Sequence, residues 1–202
     1  MHSLYDVLLK QHGRQLMPVR CAYSTIVQLH RYFEEVVLEN NLSALVTESL
    51  PLTAKRSARE KARIRELAHG GRRAFFFVHQ ADTLKEMVGS LGPEVLDTPV
   101  IFPQADGSHL HEHFIVIADA RFSALLATVH GRSSDGRMGG DEVIWTFEPD
   151  IVYSALEYLM ARVSAEHPYH VQRFEEAVRT AMPKATSLQL TISVTTKMAH
   201  LL

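Results

Sequence analysis

HEHFIVIADARFSALLATV, residues 111–129, decides the fold. Two apolar runs, 111–118 (HEHFIVIA) and 122–129 (FSALLATV), flank the break Asp119-Ala120-Arg121. Runs of this length, rich in β-branched and aromatic residues, form strands, and so short a break turns the second antiparallel to the first. Working outward, 142–147 (EVIWTF), 98–102 (TPVIF), 73–79 (RAFFFVH) and 42–49 (LSALVTES) read as further strands. Residues 187–195 (SLQLTISVT) alternate apolar and polar side chains, the pattern of a half-buried strand.

Helical periodicity fills the intervals. Ser3 caps a helix over 3–11, and a second runs over 24–39 until Asn40-Asn41. In that second helix Ile26, Leu29, His30, Phe33, Val36 and Val37 form the inner stripe, with Gln28, Arg31, Glu34 and Glu35 outside. Further helices cover 53–69, 82–91, 149 to the break at His167-Pro168, and on to about 182. Pro149 suits a first helical turn, where its missing N–H costs nothing. The class is α/β (mixed α+β): a mixed sheet of about six strands with a central antiparallel hairpin, flanked by helices.

Composition narrows the function. Of 202 residues, 46% are hydrophobic and 22% charged, enough apolar surface to offset the entropy of ordering a chain. A net charge of -2 argues against a nucleic-acid-coating protein. Cys21 is the single cysteine, which excludes an internal disulfide framework and multi-cysteine metal sites. No apolar run approaches the ~18 residues of a membrane span, and Asp6 and Lys10 bracket the first apolar run, unlike a signal peptide. The expected location is the cytoplasm, with no membrane partner.

Several groups carry potential chemistry. His109, His111 and His113 alternate, so on a strand they share one face, where Glu112 or Asp106 could assist metal binding. The competing reading of such a triplet is a solvated strand face, and it is the one preferred, with no metal assigned. Residues 55–73 hold eight Lys/Arg against two Glu, which suits either an acidic partner or a solvated amphipathic face. The glycine-rich loop 131–140 lacks a phosphate-loop signature, but Arg132 and Arg137 could clamp an anion or pair with Asp135, Asp141 or Glu142. Cys21 precedes a helix, where the dipole favours a thiolate, yet no neighbouring base is evident and an idle thiol is the simpler reading. Glu34-Glu35 is no acid pair, because adjacent helical positions diverge by about 100°. Trp145 offers either core packing or a flat surface for stacking a ligand.

The order SLYDVLL, FEEVVLEN, ARIRELA, HEHFIVIADARFSALLATVHGR and EVIWTFEPDIVYSALEYL resembles the DICT domain, a sensory domain of diguanylate cyclases and two-component proteins. The likeness spans residues 3–163 and rests chiefly on Glu112-His113, the hairpin 114–129, Arg132 and Trp145-Thr146-Phe147-Glu148. His113 stands where the family often has tryptophan, and ADARF replaces a glycine-containing turn. The resemblance implies a non-enzymatic sensory or regulatory module in light-linked signalling, with no catalytic residue and no named cofactor. On this reading residues 3–165 form the sensory domain, with His113, Arg132, Arg137 and Trp145 as its ligand-binding residues. Residues 166–202 are a helix-plus-strand extension for oligomerisation or partner contact. Expected partners are a small molecule, a second copy of the chain, and a signalling protein of the kinase, response-regulator or diguanylate cyclase class. The alternative is a metal-dependent enzyme using His109, His111 and His113.

Overall fold

The structure is a computed structural model and describes residues 3–50, 58–68, 73–78, 100–103, 112–129, 141–181 and 187–201. Its strands are β1 Val19–Cys21, β2 Leu45–Leu50, β3 Arg73–Val78, β4 Val100–Pro103, β5 Glu112–Asp119, β6 Phe122–Val129 and β7 Asp141–Thr146. They form one seven-stranded sheet, ordered β1-β7-β6-β5-β2-β3-β4. β2, β3 and β4 are parallel, whereas β5 lies antiparallel to β2 and continues through β6 and β7 as a meander that β1 extends. The sheet is mixed, with the β5–β6 hairpin at its centre and helices on its faces, as the sequence predicts.

The helices are α1 Leu4–His12, α2 Tyr23–Glu39, α3 Ala58–Leu67, α4 Pro149–Glu166, α5 Val171–Ala181 and α6 Leu188–Ala199. On one face α1, α4 and α5 cover Leu45, Phe75, Phe114, Val116, Leu125 and Ile144. On the other, α2, Leu67 of α3, and Val194 and Met198 of α6 cover Val46, Ile115, Ile117, Leu126 and Val143. Successive strand residues point to opposite faces, so a strand covered on both sides is apolar at consecutive positions, as 114–118 are, except where a buried polar group finds a partner. All of β5 is buried, which explains its unbroken run. Among the described residues no helix is long and apolar enough to cross a membrane.

Local chemistry sets the helix ends. Ser3 Oγ accepts the Asp6 N–H at 3.1 Å, and Pro149 occupies the first turn of α4. Asn41 takes a left-handed backbone (φ 45°) just after α2, a conformation that asparagine tolerates better than most residues.

Three expectations need correction. Residues 188–199 form α6, not a strand, so the described residues after 166 hold α5 and α6, preceded by a 3-10 turn at Pro168–His170. The strand-like alternation of α6 is overridden by packing on α2: Val194 and Met198, four residues apart, are buried, and Lys197 Nζ reaches Glu39 Oε2 at 3.1 Å. Thr195 adapts by donating its hydroxyl to Thr191 O at 2.8 Å. Glu34 does not take the outer face but is buried. His113 is buried and so is not part of a solvated strand face. The idle-thiol reading of Cys21 fits its place in β1 opposite Asp141, where burial and then that charge push the thiol above its ordinary value. The helix expected over 82–91 and the loop 131–140 lie outside the described residues.

Candidate functional site

Four ionisable side chains meet between α2 and the sheet. His30 and Glu34 are one helical turn apart on the inner side of α2, and Glu48 rises from β2 on the Val46 side. His113 lies two residues before Ile115 on β5, hence on the same face. All four are buried, with Glu48 fully so. His30 Nε2 lies 3.0 Å from Glu48 Oε2 and 3.8 Å from Glu34 Oε1. The His113 ring stacks on His30 with centroids 4.4 Å apart and planes 14° from parallel. Arg63 of α3 places its Nε against Glu34 Oε2. Burial, then the charge of Glu48, push the Glu34 carboxyl well above the usual carboxylate range, while Arg63 and Arg31 oppose the shift.

The cluster occupies a defined place in the topology. Strand register brings the carboxyl ends of β2, β3, β4 and β6 and the amino ends of β5 and β7 to one edge. Glu48 and His113 sit near that edge, where strand order reverses: from β2 the chain goes on to β3 on one side, and from β5 to β6 on the other. Such switch points at strand carboxyl ends are where open α/β sheets bind ligands.

Of the ligand-binding residues named from sequence, His113 is the one that enters this cluster among the described residues. Trp145 shares the face, but the row Glu48, Ile115, Leu126, Trp145 places it three strands away, about 14 Å at ordinary strand spacing. It is half-buried against the apolar layer of α2 and α6, which fits its packing role. His109, His111, Asp106, Arg132 and Arg137 lie outside the described residues.

Glu112 cannot assist His113, because as its strand neighbour it points to the opposite face. There it accepts the N–H of Leu4 at the start of α1 and meets Arg162 at 3.4 Å. Arg162 of α4, 1% exposed, also faces Glu166 at 3.5 Å and lies 5.4 Å from the Phe77 ring centre. Burial raises the Glu112 carboxyl, against the pull of Arg162 and the Leu4 and Tyr5 N–H groups. Nearby, burial and the Glu112 charge push the Tyr158 hydroxyl up to about 12. This second cluster ties α1, β5 and α4 together and is structural.

Sequence reading missed Glu34 and Glu48. The available signals were His30 within an apolar stripe, an acid one turn later, and a glutamate inside an otherwise strand-forming run.

No family model matches the chain, and no curated protein does. Solved structures similar to it include a polyphosphate kinase from Porphyromonas gingivalis, with 16% identity and a TM-score of 0.45 over 77% of this chain and 27% of that one. Another is TrmBL2, an archaeal chromatin protein, with 9% identity and a TM-score of 0.40 over 88% of this chain and 60% of that one. The chain thus spans less than two thirds of either, and likeness at this level assigns no chemistry to it.

Proposed function

We propose that this chain is a non-enzymatic sensory or regulatory module of the DICT type, which takes up a small molecule at the carboxyl edge of the parallel strands and signals in the cytoplasm by protein contact. One observation supports the reading above others: His30, Glu34, Glu48 and His113 are buried together at that edge. An apolar layer of the same shape would be at least as stable, so four ionisable groups there suit a site that responds to what binds beside it. His113 is shared by this cluster and the ligand-binding residues that the sequence suggests. The test is the native mass and absorption spectrum of protein purified from its own host. A bound organic molecule, one per chain and released on denaturation, is the expected result. Bare chain that turns over a substrate would overturn the proposal.

Signalling by contact needs a surface. On α6, Leu188 and Ile192 stand one turn apart, 73% and 54% exposed, and this reading assigns them to contact with a second copy of the chain. The double variant L188E/I192E should keep the wild-type circular dichroism spectrum yet sediment as a smaller species. Unchanged sedimentation would remove α6 from the contact.

A further inference from the structure

We infer that His30, Glu34 and Glu48 form a binding site for a divalent transition-metal ion, with His113 and Arg63 as positioning residues. One donor atom from each of the three lies within 4.8 Å of the others. An ion with bonds of about 2.0–2.2 Å holds neighbouring donors roughly 3.0–3.5 Å apart. The hydrogen bond between His30 Nε2 and Glu48 Oε2 already sets them 3.0 Å apart, a spacing that an ion replacing the shared proton would keep. Glu34 Oε1 faces the same nitrogen at 3.8 Å, beyond hydrogen-bond reach. Glu34 therefore holds a second carboxylate oxygen against the nitrogen that already meets Glu48, and a small rotation of Glu34 would bring that oxygen to ligand spacing.

The surroundings fit this assignment. Arg63 engages Oε2 of Glu34, which leaves Oε1 for the ion and fixes the carboxylate plane, while the His113 stack fixes the plane of the His30 ring. The two carboxylates repel each other, and the two positive charges of the ion cancel theirs. Uptake is a simple exchange: the ion takes the Nε2 lone pair and the carboxylate oxygens, any protons on those atoms leave to solvent, and nothing is oxidised or reduced. One imidazole with two carboxylates suits Mn²⁺, Fe²⁺ or Zn²⁺, whereas Mg²⁺ and Ca²⁺ favour all-oxygen sites. Three protein ligands leave a coordination position open. This site does not depend on the sensory reading, and an organic ligand at the strand edge would survive its failure.

Full-length protein is stripped with EDTA, dialysed, and titrated separately with Zn²⁺, Mn²⁺ and Co²⁺, with retained metal counted by elemental analysis and Co²⁺ followed by visible absorption. The expected result is one equivalent per chain, weakened by about 100-fold or more in E48Q. H30Q should also alter the Co²⁺ spectrum, whereas E112Q, on the other face of the sheet, should bind as wild type does. Failure to saturate at one equivalent with any of the three ions overturns the site. So does uptake that E48Q and H30Q leave unchanged, which would belong to surface histidines. If either variant does not fold, nitrogen-15 histidine spectra of the wild type decide: Zn²⁺ must shift the ring nitrogens of a buried histidine, and the absence of such a shift overturns the site.

Discussion

Arg162→Ala should destabilise the protein by about 3–5 kcal/mol, the cost of leaving a buried charge without its partner. That is a large share of the roughly 5–15 kcal/mol by which a domain is stable. Among the described residues Glu112 would keep the Leu4 and Tyr5 backbone N–H groups against its charge, and Phe77 would lose the guanidinium beside its ring. The neutral double variant E112Q/R162M should recover most of the loss, because a glutamine oxygen still accepts the Leu4 N–H and methionine fills the stem of the arginine. Urea denaturation of the three proteins measures this, and a double variant no better than R162A would place the effect in packing alone. The pH dependence follows from the same group. Folding raises the Glu112 carboxyl above its unfolded value, so between the two values the native chain holds more proton than the unfolded one. Its contribution is therefore greatest below the unfolded value and declines as pH climbs through the folded value. Stability curves for E112Q should lack that part of the decline, and a slope identical to wild type would assign it elsewhere.

Phe174→Ala is the second large effect, about 3–5 kcal/mol for a buried aromatic truncated to a methyl group. The ring of Phe174 on α5 is fully buried and meets Phe75 of β3 edge to face, with centroids 4.8 Å apart. It therefore belongs to the layer that includes α1 and α4. Thermal and urea unfolding should show one transition moved to lower stability. A loss no larger than the ~0.5 kcal/mol of an exposed position would instead make residues 166–202 a separable appendage.

What could be read in advance followed from how locally each element is specified. The β5–β6 hairpin was legible because its apolar runs and short break are properties of neighbouring residues. So were α1 and α4, with Ser3 and Pro149 marking their starts. The three residues of β1 carry no pattern of their own and become a strand only by pairing with β7. α6 misled because Leu188, Leu190, Ile192 and Val194 alternate, while the residues that seat it, Val194 and Met198, are four apart. The candidate site was least legible. Glu34 and Glu48 are 14 positions apart, and only the docking of α2 on β2 makes them neighbours. His113 was found for a different reason, its alternation with His109 and His111.

The adjacent positions of Glu112 and His113 have a consequence for strand alignment. Phe114, Ile115, Val116 and Ile117 are apolar toward both faces, so greasiness alone would let β5 slide one step along β2 with little complaint. Such a slide inverts every side chain. A step one way would thrust Glu112 among the two other acids beside His30, and a step the other way would put His113 in the place of Glu112 beside Arg162. Either way a buried charge loses its partner. The paired polar layers thus act as a key that admits β5 in one alignment, a discrimination its oily residues cannot supply.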